Sequence, residues 1–241
     1  MRLATAATAV LCCLASSLHA EPRQVYADGA PSWLRAVGKL HVPGVRYKKG
    51  YGNHRQENCS GTLVAMANSQ RANTVITAWH CLEFYGDLSR PITFTLQMAD
   101  GQLLNREAYR VADGGGMHAD WAVLKLFKDV ATEAVPALAP HPTNADPQRP
   151  VTMAGYSGDQ GLGDQGKALT YHANCHITRQ QPRESESNCS AYKGASGGAV
   201  VQLAADGSAQ LGGVISRGDS ENVSIYVPIN GFRGQLNRFL R

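Results

Sequence analysis

The chain has 241 residues and a formal net charge of +4, with 25 glycines, 11 prolines and 7% aromatic residues. It carries no Lys/Arg run of the kind that tracks a phosphate backbone, which argues against a nucleic-acid partner. Beyond the first twenty residues no stretch holds 18 consecutive apolar residues, which excludes a helical membrane span.

The opening residues 1–20, MRLATAATAVLCCLASSLHA, have one Arg, an apolar small-residue run and Ala before Glu21. That is the three-part form of a secretory signal peptide, with cleavage expected after Ala20. Cys12 and Cys13 would serve a lipoprotein reading, but Ala-Val-Leu before them lacks the small pair such a site wants. A leader of this kind points to a secreted or periplasmic protein. Residues 21–35 read as an irregular lead-in or a short pro-segment.

The remaining chain reads as short strands. Residues 63–67, 74–78, 92–98, 121–127, 151–156, 199–203, 211–216 and 224–229 are rich in Val, Ile, Thr and aromatics and bounded by Gly, Asn, Asp or Pro. Asp100-Gly101 and Asp206-Gly207 fall between such runs, as hairpin turns do. Segment 140–150, PHPTNADPQRP, has four prolines and can be neither a central strand nor a helix. It divides a first half, 36–139, from a second, 151–241. Only the C-terminus has helical spacing: Phe232, Leu236, Phe239 and Leu240 share one face.

Without the leader four of the six cysteines remain, Cys59, Cys81, Cys175 and Cys189. An even count in an exported chain favours disulfides, and four cysteines allow three pairings. Pairing neighbours in sequence is the simplest, each short loop contributing roughly 3 kcal/mol. A structural metal is not expected, because there is no CxxC and the spacings do not match a zinc ribbon. No cofactor motif was found.

The motif with the most chemistry is KGASGGAV, residues 193–200. GASGG fits a G-x-S-x-G elbow, but in an α/β-hydrolase the acid and then the His follow the serine. None of the eight histidines follows Ser196, so a base for it lies upstream. His80, in VITAWHC, ends a β-rich run beside Cys81. Asp120, in HADWAVLKL, opens an apolar run, where its carboxylate is poised for burial near an imidazole. Each has a plain alternative: Ser196 as a turn serine, His80 as a surface histidine, Asp120 as a strand-initiating turn residue.

In order, CSGTLV, VITAWHC, ADWAVLKL and KGASGGAV resemble the trypsin/chymotrypsin-like serine peptidases. VTMAGYSG, GVISRG and IYVPI agree with the same pattern, so the resemblance covers roughly residues 36–241. It implies an all-β, chymotrypsin-like fold of two six-stranded antiparallel β-barrels with a C-terminal helix. It implies a serine endopeptidase with His80 as general base, Asp120 as orienting acid and Ser196 as nucleophile. The backbone N–H groups of Gly194 and Ser196 would form the oxyanion hole. It also implies the pairing Cys59–Cys81, with Cys175–Cys189 bracing the loop before the nucleophile. Substrate would be protein or peptide, and the protein a monomer. The alternative is a catalytically weak or inactive binding module on the same fold.

Three positions depart from the best-known animal members. Ala195 replaces the Asp that pairs with a newly cut N-terminus, which makes the chain more similar to bacterial secreted members, including the glutamyl endopeptidase-like branch. Trp79 stands where a smaller residue usually precedes the His. Ser190 stands at the position that is Asp in trypsin. With Ser216, Arg217, Gly218 and Ser224, it is expected to line the substrate site. Arg217 would favour an acidic side chain, Asp219 or Glu221 a basic one, and these cues conflict.

Overall fold

The computed structural model describes residues 21–86, 90–220 and 223–240. The expected signal peptide and Glu221 lie outside the described residues. Strand β1 (Gln24–Val25) is followed by β2 (Val37–Lys48), β3 (Tyr51–Val64), β4 (Arg71–Thr77), β5 (Ile92–Gln97), β6 (Leu103–Asp113) and β7 (Ala122–Ala131). β2 to β7 form a closed barrel in the order β2-β3-β4-β7-β6-β5, with β5 pairing back onto β2. The two-residue alternation of a strand places Ile92, Phe94 and Leu96 of β5 inside, all with no exposed surface. Leu40, Leu63, Val75, Ile76 and Leu124 meet them in one core.

The second half contributes β8 (Ala139–Pro140), β9 (Val151–Gly155), β10 (Thr170–Cys175), β11 (Ile177–Arg179), β12 (Ser185–Ser187), β13 (Ala199–Leu203), β14 (Ala209–Gly218) and β15 (Ser224–Pro228). With β1 they make a nine-stranded sheet in the order β1-β10-β9-β13-β14-β15-β12-β11, with β8 added in parallel to β14. The fold is thus the expected all-β one, but the second unit is a curled half-barrel rather than a hydrogen-bonded cylinder. Its strands near the seam are short, and other links hold it. Cys175, at the end of β10, is bonded to Cys189, just beyond β12. Ser190 N–H donates to His172 Nδ1 at 2.9 Å, and Asn188 exchanges two hydrogen bonds with the backbone of His176.

The predicted helix is α1 (Arg233–Phe239), with Leu236 fully buried. It comes from the second half and docks on the first barrel. Thr74 Oγ1 and Lys125 Nζ both donate to the Phe239 carbonyl, at 2.8 and 2.9 Å. A cation there also suits the negative end of the helix dipole. Just ahead of the helix, Phe232 stacks on Trp121 at 6.0 Å, which fixes the residue next to Asp120. No helix among the described residues is long and apolar enough to cross a membrane.

Candidate active site

β4 ends at Thr77, and the chain turns into a 3-10 helix, Trp79–Leu82, that carries His80. The disulfide Cys59–Cys81 ties this turn to β3. Asp120 lies just before β7 and is 1% exposed. A buried carboxylate needs donors, and three point at it. His80 Nδ1–H lies 2.8 Å from Oδ2, the His80 backbone N–H 2.9 Å from Oδ1, and the Ser216 hydroxyl 2.5 Å from Oδ2. Burial alone would push the Asp120 carboxyl up. The His80 bonds and charge, together with Ser216, outweigh that and hold it below its ordinary value. With Nδ1 donating, the other ring nitrogen, Nε2, is left to accept a proton.

Ser196 sits between β12 and β13, half-buried beside His80. Its hydroxyl donates to the Ser216 carbonyl at 3.2 Å rather than to His80. Ser216 offers that carbonyl because it is the extra residue of a bulge. Ile215 pairs with Tyr226 and Arg217 with Ile225, which leaves Ser216 outside the ladder.

Behind the hydroxyl, the backbone of the loop is tightly held. Lys193 O accepts from Gly158 N–H at 2.6 Å. In a trans peptide the C=O and N–H point oppositely, so this bond turns the Gly194 N–H the other way. Ser60 in β3 grips the same loop twice: its hydroxyl donates to Gly194 O and its backbone N–H to Ser196 O, both at 2.8 Å. Gly194 has φ +99°, and a Cβ there would lie 2.6 Å from Tyr156 O, so glycine is required. Among the described residues, the N–H groups of Gly194 and Ser196 donate to no protein acceptor. Ala195 between them is buried against Gly155.

A cavity of about 390 Å³ opens beside these groups. His80, Ser196, Ser216, Arg217 and Gly218 line it. Ser190 and Ser224, expected on its wall, are buried and are not among its lining residues: Ser224 is fully buried and donates to Cys189 O. Trp79 is half-buried and does not line the cavity. Arg217 is paired with Glu184 at 2.6 Å, which neutralises the cation expected to attract acidic side chains. Met117, Tyr192, Lys193 and Ser220 also line the cavity and carried no signal in the sequence beyond their nearness to the motifs. Ser60 was equally silent, although it lies inside CSGTLV. The sulfurs of the two His/Cys clusters, around His80 and His172, are consumed in disulfides and are not thiolate ligands for a metal.

A family model described as a trypsin-like peptidase domain matches residues 59–209, more than half of the chain. No curated protein sequence is significantly similar to it. Among solved structures, the chain resembles the protease Anisep from Arthrobacter nicotinovorans. The two are 19% identical with a TM-score of 0.60, over 86% of this chain and 93% of that one. A thermostable serine protease, AL20, from an extremophilic microorganism is 20% identical with a TM-score of 0.61, over 87% and 98%. A Glu endopeptidase is 19% identical with a TM-score of 0.61, over 91% and 96%. At that identity the neighbours speak for the fold, and the domain match for the family: this chain belongs to the trypsin-like peptidase domain family, a family of serine peptidases.

Proposed function

We propose that the protein is an exported serine endopeptidase in which Ser196 is the nucleophile, His80 the general base and Asp120 the residue that orients His80. The observation that carries this reading is a convergence at the mouth of one cavity. His80, held by buried Asp120, and Ser196 both line it, and the loop beside it carries the N–H groups of Gly194 and Ser196, which have no protein acceptor.

The chemistry follows from those groups. A serine hydroxyl is a weak nucleophile until a base takes its proton. Here the hydroxyl is parked on the Ser216 carbonyl. A substrate backbone N–H that takes over that carbonyl frees the hydroxyl to rotate toward His80 Nε2. Ser196 Oγ then bonds to the scissile carbonyl carbon while its proton passes to Nε2. The carbonyl oxygen becomes an oxyanion against the N–H groups of Gly194 and Ser196. Collapse breaks the C–N bond, the leaving amine takes the proton from His80, and an acyl-enzyme remains. Water repeats the sequence and releases the acid. Asp120 stays ionised, holds the tautomer and stabilises the imidazolium.

An internal cleavage site is favoured by the edge at Ser216–Gly218. β13 pairs with β14 only as far as Val214, so this edge is open on the cavity side among the described strands. An extended chain can add to it as a further strand along its length. Export is supported by the leader pattern and by two disulfides. The remaining parts of the reading are a monomer, a protein or peptide substrate and no nucleic-acid partner.

Labelling with a serine-directed fluorophosphonate tests the proposal. The folded wild type takes up one label and Ser196→Ala takes up none. A folded wild type that stays unlabelled, or a Ser196→Ala variant that labels equally, favours the inactive binding module instead.

A further inference from the structure

Behind the nucleophile loop lies a buried cation that the mechanism above does not use. Arg23 is 4% exposed. Its guanidinium donates to Asp159 through Nη1 at 2.9 Å and Nη2 at 3.1 Å. It donates to Glu21 through Nε and Nη2, both at 2.9 Å. The guanidinium carbon lies 3.9 Å from the centre of the Tyr192 ring. A forked guanidinium with two carboxylates and an aromatic face is a rigid arrangement, with charge-assisted bonds and a cation–π contact. Burial would lower the Arg23 pKa, but the two carboxylates more than offset that and raise it.

What Arg23 touches matters more than the pair itself. Asp159 follows Gly158, whose N–H holds the Lys193 carbonyl. Tyr192 precedes Lys193. Arg23 therefore clamps both neighbours of the Gly158–Lys193 bond, which sets the direction of the Gly194 N–H. It also borders a small space together with Ala191 and Ala195, next to the nucleophile loop. Ala195 has no charge with which to anchor the loop from within. The arm that carries Arg23 is itself fixed: Gln24 and Val25 pair with Tyr171 and Thr170, Tyr26 N–H donates to Leu169 O, and the Tyr171 hydroxyl donates to Gln24.

Building on the proposed function, we propose that Arg23 is a positioning residue for the oxyanion site, clamping Asp159 and Tyr192 so that the Gly194 N–H stays aimed at the reacting carbonyl. The arm formed by residues 21–26 then belongs to the working enzyme and is not a pro-segment to be removed. The arm acts through side chains and strand pairing.

The test compares wild type with Arg23→Ala, Arg23→Lys and Asp159→Asn, each checked for folding by near-UV circular dichroism. The readouts are kcat, KM, and the affinity of a peptide boronate, whose tetrahedral adduct draws on the same two N–H groups. Arg23→Ala is expected to lose roughly 10–100-fold in kcat, below the loss of a whole oxyanion donor. KM should change less than about 3-fold, as for an interaction made in the transition state. Boronate affinity falls in step, millimolar guanidinium ion restores part of the kcat, and Arg23→Lys lies between. If Arg23→Ala does not fold, Asp159→Asn, which keeps the shape and removes one charge, shows the same split. The proposal is overturned if the folded variants keep wild-type kcat and boronate affinity. It is equally overturned if kcat falls only together with folding, without rescue by guanidinium. A folded wild type with neither turnover nor boronate binding overturns the proposed function itself, and this inference with it.

Discussion

The Ser60 hydroxyl donates to the carbonyl of Gly194 at 2.8 Å and accepts the N–H of Tyr156 at the same distance. One side chain of the first barrel therefore holds two backbone groups of the second, at the point where the loop carrying Ser196 turns. Thr77, three residues before His80, donates to the Ser60 carbonyl at 2.8 Å, so the strand leading to His80 shares the same anchor. Ser60→Ala leaves a buried N–H and a C=O unpaired, and about 1–3 kcal/mol of stability is expected to go with them. Thermal unfolding measures that loss. Steady-state kinetics on the folded fraction should show a lower kcat, because of the two peptides flanking Gly194, held by Gly158 and Ser60, one has lost its anchor.

The Asp120 carboxylate gives a pH prediction. Its folded pKa is depressed, so the charged form stabilises the fold above the ordinary carboxylate value, about 4. That contribution is lost as pH falls through the depressed value. Ser216→Ala removes the shortest bond to this carboxylate and should shrink the depression. The gap in Tm between wild type and variant is expected to be open at neutral pH and to close below about pH 4. A gap that does not narrow on acidification would mean that Ser216 acts by packing alone.

Arg217 and Glu184 offer a handle on specificity. The pair is partly exposed, so its worth is modest, about 0–1 kcal/mol. Glu184→Gln unmasks a cation on the cavity wall. Profiling a peptide library is expected to show preference moving toward acidic side chains by about 3–5-fold in kcat/KM, as that energy allows. Preference for Lys or Arg should not rise.

Cys175–Cys189 closes a seam that backbone hydrogen bonds leave open. Replacing both cysteines by serine should cost about 3 kcal/mol for a loop of this length. Hydrogen exchange is the sharper readout. Faster exchange is expected in residues 170–177 and 185–190, with the closed first barrel unchanged.

Much of this site was legible in the sequence because its parts are local. His80 and Ser196 sit in short motifs, and Asp120 opens the run that becomes β7. Each of the eight segments read from composition overlaps an observed strand, although 63–67 shares only Leu63 and Val64 with β3. The long β2–β3 hairpin was not read before residue 63, because Pro43, Gly44 and a run of charged residues break the apolar pattern while its outer half stays exposed. β11 and β12 are too short to show a period, and β10, TYHANC, has no apolar run. Arg23 was invisible for another reason: its partners Asp159 and Tyr192 lie more than a hundred residues away, and nothing about an arginine in a lead-in marks it as buried. Ser190 was placed on the cavity wall by counting back from Ser196, and Ser224 by its place after the edge strand Ser216–Gly218. The Cys175–Cys189 bridge and the Ser224–Cys189 bond hold both residues buried instead.

The central claim is that Ser196 forms a covalent acyl intermediate. Acid-quenched mixing of the enzyme with an activated peptide ester, followed by intact mass and peptide mapping, tests it most directly. The expected result is one acyl group per chain on the peptide containing Ser196, absent in Ser196→Ala and decaying as product appears. Product formed by the folded wild type with no acyl adduct at any quench time, or an adduct on another residue, would contradict it.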